Sequence, residues 1–377
     1  MHFYTSININ YLPKARVLAT SVKKHCKAAR FSLVLADEWP KELDKSKEPF
    51  DEIILVEDLG IPVENLSFWI FEHTVVELCT AIKGQALVNF LESGSEKVVY
   101  LDPDIVVYDD LVVLEKYLDH HDIILTPHQT HPEKNRNDII HNEICSLQHG
   151  TYNFGFYAVR NNDNGLKFAR WWRDRLIDFC YDDIPNGIFT DQKWGDLVPA
   201  MFDGVFILRD PEYNVSTWNL SNRKVTKSRE GKILVNDRPL QFYHFSGFDS
   251  GAQECMLNMY AKGNQVLIEM RSWYSDMQTK AGQQKYAREP SVYNFYDNGL
   301  KIGKKERFLL RSREDLQKFF KDTNPYVTEQ ARSYYIWYQK EGNKQNEDSE
   351  LQAIYSSRSW KLAQCISKLY GKVWGRK

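Results

Sequence analysis

Two carboxylates separated by one residue interrupt an apolar run at Val98-Val99-Tyr100-Leu101-Asp102-Pro103-Asp104-Ile105-Val106-Val107. In extended backbone, residues two apart point to the same side, so Asp102 and Asp104 can converge on one oxygen-seeking cation. Asp-x-Asp tripeptides also recur in turns for local hydrogen bonding. The strand-like residues before this one favour the cation site. His244, in Phe242-Tyr243-His244-Phe245-Ser246-Gly247, ends another strand-like run and offers a third ligand. A neutral imidazole beside two carboxylates suits Mn²⁺, with Mg²⁺ as the alternative. Gly247 would let the backbone approach a phosphate. A lone histidine is more often a core residue bonded to a carbonyl; the partner carboxylates favour ligation here.

Other residues carry two readings each. Asp191-Gln192 stands where a helical pattern begins, so Asp191 is either a first-turn acid or, with Gln192, faces a sugar whose anomeric carbon gains positive charge. Lys83 lies on the helical stretch before Asp102. It is either a phosphate-neutralising cation or a surface lysine, and the sequence alone prefers the surface. Asn153 in Tyr152-Asn153-Phe154-Gly155 and Asn214 in Tyr213-Asn214-Val215 stand at strand boundaries, where either can complete a turn. Trp171-Trp172 falls within a helical pattern and reads as core. His120-His121 and His128-x-x-His131 fall in loops without a clear third partner and are set outside the metal site.

The elements that must position these residues alternate. Strand patterns at 3–7, 31–36, 52–56 and 98–101 are separated by helical patterns at 12–25, 69–79 and 81–91, and further strands follow at 122–125, 153–159, 205–208 and 240–245. The strands are too apolar for a sheet with one wet face, so a Rossmann-like, mostly parallel sheet flanked by helices is expected. Such sheets bind ligands beyond the carboxyl ends of their strands, where Asp102 and Asp104 sit. The long polar loop 128–150 reads as an active-site cover or acceptor loop. Near Gly251 the chain turns to helices rich in Lys, Gln and Glu, with one strand-turn signal around Asp297-Asn298-Gly299. Three segments are expected: a catalytic domain over 1–250, a mainly helical extension over 251–350, and a basic amphipathic tail over 351–377.

Across 377 residues, Lys plus Arg total 49 against 51 acidic residues. No global field favours nucleic acid. Six cysteines without a Cys-x-x-Cys pair read as free, mostly buried thiols in a reducing compartment. No secretory signal is expected from the opening residues, so the Asn-x-Ser sequons at Asn65, Asn214 and Asn219 read as chance. No apolar run approaches the roughly 20 residues of a spanning helix. A cytoplasmic protein, soluble or peripheral on the inner face of the plasma membrane, is expected. The tail 351–377 lacks acidic residues and sets Arg358, Lys361, Lys368, Lys372, Arg376 and Lys377 among Trp360, Trp374 and other apolar residues. It suits either an anionic bilayer surface or docking as a C-terminal helix.

Taken in order, these motifs resemble the retaining glycosyltransferases of the glycogenin and bacterial lipopolysaccharide galactosyltransferase type (family 8-like), which have the GT-A fold. That family's Lys on a helix, Tyr-Leu-Asp-x-Asp, Asn-x-Gly, Asp-Gln and His-Phe-x-Gly appear as Lys83, Tyr100 to Asp104, Asn153 to Gly155, Asp191-Gln192 and His244 to Gly247. The resemblance covers 1–250; beyond it lies a general likeness to bacterial cell-surface-polysaccharide transferases, including Ser-Arg-Ser-Trp at 357–360. Pro103 stands where a small residue is commoner, and Lys83 lies farther upstream than usual.

The resemblance implies a metal-dependent transferase that moves a hexose from a nucleotide-diphosphate sugar, with UDP as default. The acceptor would be a glycan or lipid-linked molecule in bacterial surface polysaccharide synthesis, and configuration would be retained. Asp102, Asp104 and His244 would hold Mn²⁺ or Mg²⁺, with Asp102 also facing the donor. Lys83 and Gly247 would lie near the diphosphate, and Asn153, Asp191 and Gln192 would line the sugar. Two other classes are a nucleotide- or glycan-binding module without turnover and a metal-dependent nucleotidyltransferase. The absence of Gly from 8–16 counts against the triphosphate loop that the latter needs.

Overall fold

The computed structural model describes residues 1–342. The amphipathic tail, the Ser-Arg-Ser-Trp segment and Cys365 lie outside the described residues. The strands that matter here are β1 (His2–Ile7), β2 (Arg30–Leu35), β3 (Glu52–Leu55), β4 (Lys97–Leu101), β5 (Ile105–Val107), β6 (Ile123–Pro127), β7 (Tyr152–Arg160), β8 (Val205–Ile207) and β9 (Phe242–His244). The helices are α1 (Leu12–His25), α2 (Leu66–Glu72), α3 (Val75–Glu92), α4 (Val112–His120), α5 (Asp163–Phe179), α6 (Ala252–Tyr260), α7 (Gln265–Lys280), α8 (Lys304–Ser312) and α9 (Glu314–Phe320).

The described residues form two compact units, Met1–Pro62 with Val75–Val292, and Val63–Thr74 with the described residues from Tyr293 onward. The composition change near Gly251 therefore falls inside the first unit, whose α7 packs on α1.

The first unit is built on a seven-stranded sheet of order β8-β6-β7-β4-β1-β2-β3. β1 runs parallel to β2 and β4, β2 to β3, and β8 to β6. β7 alone runs antiparallel to its neighbours β4 and β6. This is the mostly parallel α/β sheet that the strand chemistry predicts. All six residues of β1 are buried, because both sheet faces are covered. Phe3 and Ile7 pack with Leu12, Ala15 and Leu18 of α1 in one apolar cluster. On the opposite face, Tyr4 Oη donates to Lys83 O (3.0 Å) and Ser6 Oγ to Cys79 O (2.6 Å), both on α3. α3 also lies close against α5: a Cβ on Gly84 would stand 2.7 Å from Arg173 Cα.

Three expectations are corrected. The helical break expected at Thr80 falls at His73-Thr74, because the Thr80 hydroxyl bonds back to Val76 O and Glu77 O and the helix continues. The 240–245 strand is β9, which leaves the main sheet to pair antiparallel with β5. The thiols are not mostly buried: Cys145 and Cys255 are exposed.

The second unit closes α2, α8 and α9 around Phe68, Phe71, Leu309, Leu310, Phe320 and Tyr334. Asn65 accepts from Phe68 N (3.1 Å) as the cap of α2. The turn at Asp297-Asn298-Gly299 is present, with Gly299 at φ 82° and a bridge between Phe295 and Lys301. No helix among the described residues is long and apolar enough to cross a membrane.

Candidate functional site

β4 ends at Leu101, and the chain turns through Asp102-Pro103-Asp104, closed by Ile105 N donating to Asp102 O (3.0 Å). Asp102 N also donates to Gly155 O on β7 (2.8 Å). The chain then leaves as β5, whose register with β9 sets His244 opposite Ile105. Phe245 N donates to Asp104 O (2.8 Å), which locks the end of β9 to the carboxylate turn. Backbone pairing thus brings a histidine from far along the chain beside both acids.

His244 Nε2 lies 3.0 Å from Asp104 Oδ1 and 3.7 Å from Asp102 Oδ2. One ligand atom from each of Asp102, Asp104 and His244 lies within 4.8 Å of the others. The imidazole is buried, and its Nδ1 contacts Asn214 Oδ1 (3.3 Å), which leaves Nε2 to face the acids. An outer acceptor of this kind orients the imidazole of a metal-bound histidine. Two carboxylates and one neutral imidazole match the preferences of a hard or borderline divalent cation, so the group could hold a metal ion. Trp218 stands edge-on to the imidazole at 5.2 Å between centroids.

Gly155 makes this convergence possible. A Cβ there would stand 2.5 Å from His244 Cε1, 2.6 Å from Asp102 Oδ2 and 2.8 Å from Asn153 Oδ1.

Lys83 is a buried residue, not the surface lysine that the sequence alone prefers. Its Nζ lies 2.9 Å from Asp191 Oδ2 and 3.3 Å from Asp102 Oδ1, and 4.2 Å from the centroid of the Tyr100 ring. Tyr100 Oη donates to Asp102 Oδ1 (2.7 Å). Asp191 is not merely a first-turn acid either: its carboxylate turns inward to Lys83 and accepts from Thr190 Oγ1 (3.2 Å). Thr190 has φ 43°, an unfavourable backbone for a β-branched residue. Strain is thus stored beside Asp191.

Asn153 and Asn214 do more than complete turns. Asn214 Nδ2 donates to Asn153 Oδ1 (3.0 Å) and Thr126 Oγ1 (2.9 Å), while Asn153 Nδ2 reaches Gln192 Oε1 (3.3 Å) and His128 Nε2 (3.1 Å). Gln192 is held from both ends, since Oε1 accepts from Phe154 N (3.2 Å) and Nε2 donates to His149 O (3.1 Å). The residues predicted from sequence therefore meet: Asp102, Asp104 and His244 in one cluster, Lys83 and Asp191 against Asp102, and Asn153 with Gln192 beside them. Gly247, at φ 71°, opens the loop after β9. Trp172 is core, as expected, and its Nε1 donates to Asp191 O (3.3 Å).

The electrostatics follow from burial. Burial disfavours the charged imidazole of His244, yet Asp104 outweighs it and raises the pKa above the ordinary histidine value. Burial pushes the Asp104 carboxyl up, but His244 and then Lys14 bring it below the usual range. Burial raises Asp191 against the pull of Lys83. Burial likewise opposes the Lys83 ammonium, but Asp102 and Asp191 hold its pKa well above that of a free lysine. His128, pushed down to about 4 by burial, is neutral near pH 7.

Sequence reasoning left Asn214 out of the site, set His128 aside and overlooked Lys14. The signal for Lys14 was present: Val17, Leu18 and Ser21, which share its helical face, are all buried.

No family model matches the chain. The uncharacterized protein YfnD of Bacillus subtilis (strain 168) is 24% identical over 253 residues, spanning 66% of this chain and 78% of that protein. YfnF of the same organism, also uncharacterized, is 29% identical over 182 residues, spanning 46% and 57%. Among solved structures, the galactosyltransferase LgtC in complex with donor and acceptor sugar analogs is 15% identical, with a TM-score of 0.40 over 74% of this chain and 96% of that one. The glycosyltransferase GlyE of Streptococcus pneumoniae TIGR4 is 16% identical, with a TM-score of 0.41 over 78% and 66%.

Proposed function

We propose that the protein is a metal-dependent glycosyltransferase that moves a hexose from a nucleotide-diphosphate sugar, with UDP as the default nucleotide, to a glycan or lipid-linked acceptor. The observation that carries this reading is the convergence of Asp102, Asp104 and His244 within 4.8 Å, beside a buried Lys83 paired to Asp191 at 2.9 Å. Asp102, Asp104 and His244 would hold Mn²⁺ or Mg²⁺, which would supply positive charge to the phosphates of the leaving group.

The chain's own residues then divide the work. Lys83, pinned by two acids, is a preorganised cation on the diphosphate side. Gly247 lets the backbone approach that group closely. Asn153, Asp191 and Gln192 line the sugar, where the Asp191 carboxylate stabilises positive charge that develops at the anomeric carbon. The bond from that carbon to the phosphate oxygen breaks, and its electron pair goes to the nucleoside diphosphate. The acceptor hydroxyl attacks from the same face and gives its proton to the departing phosphate oxygen, so configuration is retained.

A thermal-shift panel of nucleotide sugars with and without Mn²⁺ tests the reading, because a ligand of the folded state raises the melting midpoint. A midpoint that rises only when a sugar nucleotide and the metal are both present is the expected result. No response to any nucleotide sugar would refute the donor assignment. An NMR spectrum showing the opposite anomeric configuration in the product would refute retention.

A further inference from the structure

A second buried lysine feels the charge of Asp104. Lys14 stands in the first turn of α1, is 3% exposed, and pairs with Asp249, which is 45% exposed. Its ammonium also lies 4.1 Å from the centroid of the Tyr11 ring.

This is an expensive place for a cation. Burial strips its hydration, and the amino end of a helix carries partial positive charge that repels it. Burial pulls the Lys14 pKa down, and Asp104 leads the charges that bring it back above the ordinary value. Lys83 shows the contrast: both of its acids are set at strand ends or in the core, and Asp191 is itself buried. The ion-pair partner of Lys14 sits instead on the loop between β9 and α6, bounded by Gly247 at φ 71° and Gly251 at φ 78°. That loop begins just beyond His244.

Charge balance indicates what the pair awaits. A divalent cation on Asp102 and Asp104 would neutralise the acid that now faces Lys14. A diphosphate diester then brings about two negative charges to the same spot and competes with Asp249 for the lysine.

Resting on the nucleotide-sugar reading above, we propose that Lys14 is a diphosphate-binding residue of the donor site, held in the donor-free protein by Asp249, which the incoming phosphate replaces. Asp249 is thus a stand-in anion, and the lysine exchanges one oxyanion for another without ever standing bare.

The test is calorimetric titration of the full chain, saturated with Mn²⁺, with UDP and with UMP. Lys14→Met is expected to weaken UDP about 10- to 100-fold, as loss of a charge-assisted contact does, while UMP changes by less than about threefold. Asp249→Asn is expected to tighten UDP, and the double variant to match Lys14→Met because Asp249 acts only through the lysine. A purely structural role would instead weaken both ligands together, or make the two single variants move in the same direction. Either of those results overturns the proposal, as does UDP affinity unchanged in Lys14→Met. If Lys14→Met does not fold, Asp249→Asn decides alone, because it keeps the lysine: tighter UDP supports the exchange, and unchanged or weaker UDP overturns it. Titrations with GDP, CDP and ADP guard against a wrong base. A wild-type chain that binds none of these diphosphates with Mn²⁺ overturns the glycosyltransferase reading and this proposal with it. A wild type that binds, with a Lys14→Met variant that binds equally, removes Lys14 alone.

Discussion

Both compact units bury charge, but they satisfy it differently. In the second unit, Arg307 donates to Phe71 O (2.8 Å), His73 O (2.8 Å) and Tyr293 O, and Glu306 accepts from Gly303 N (2.9 Å) and Tyr296 Oη. These partners are largely fixed backbone, and the charges tie segments together. In the first unit, Lys83, Asp102, Asp104, Asp191 and His244 satisfy one another, and Lys14 pairs with Asp249, through side chains at strand ends and in the loop beyond β9. A buried charge answered by carbonyls is architecture; one answered by other side chains at a sheet edge can trade partners with a ligand.

The sharpest break in that comparison is Asp104→Asn. It removes one anion from the cluster while keeping the turn, so sugar transfer is expected to fall about 10³-fold, the scale of losing a preorganised electrostatic contact. The melting temperature should fall by less than about 4 °C. Steady-state rates and a thermal melt on one preparation check both halves, and a folded variant with unchanged metal-dependent turnover would remove the site.

Arg307→Met should do the reverse. It strips two buried carbonyls and one part-buried one of their donor, so a loss of about 3 kcal/mol in unfolding free energy is expected. Mn²⁺ affinity of the still-folded fraction should stay within about twofold. Denaturant titration and metal titration read the two quantities, and a large change in metal affinity would mean that the contrast between the units is false.

Gly155→Ala comes next. The added Cβ would stand 2.5 Å from His244 Cε1 and 2.6 Å from Asp102 Oδ2, so two donors must separate. Metal affinity should fall about 10- to 100-fold, with a stability loss of about 1–2 kcal/mol from overpacking. Competition against a chromogenic chelator measures the first. Unchanged affinity would show that the donors need not converge.

Much of the first unit was legible because strand chemistry is local: β4 carries apolar residues on both faces, and α1 has the helical span its periodicity predicts. The two acids were legible for the same reason, since one turn holds both. Less could be read where pairing is distant. Nothing near residue 244 says that β9 leaves the sheet to meet β5, yet that register alone puts the imidazole beside Asp104. Lys83 reads as a surface residue when one lysine is weighed alone. Its neighbours Ala81, Ile82, Gly84, Ala86, Leu87 and Val88 make α3 apolar all round, and a helix of that kind is buried together with whatever charge it carries. Asn153 and Asn214 read as turn residues because amides bond backbone and side chains equally well, and only the fold decides which.

The two units should also differ in how Mn²⁺ changes their pH dependence. Glu72, in the second unit, is pushed up to about 7 by burial, against a hydrogen bond from Gln317 and the charge of Arg311. A carboxyl whose folded pKa exceeds its unfolded value stabilises the fold below the unfolded pKa, and that contribution is lost as pH rises through about 7. Stability should therefore drop by about 2 kcal/mol between about pH 5 and pH 8. Glu72→Gln should flatten the slope. Asp104 behaves oppositely: its folded pKa is depressed, so its contribution is present above the ordinary carboxylate range and lost as pH falls through the lower folded value. His244, raised, contributes below the ordinary histidine pKa and loses that contribution as pH climbs through its folded value. The ion pair at the site therefore fades at alkaline pH, where the neutral imidazole becomes a ligand. Added Mn²⁺ should then recover stability in the upper part of the range and leave the Glu72 slope in place. Denaturation midpoints for wild type and Glu72→Gln, each with and without Mn²⁺, separate the two. If Mn²⁺ flattened the Glu72 slope as well, the metal would be answering charge in the second unit, and the division between architectural and exchangeable charge would fail.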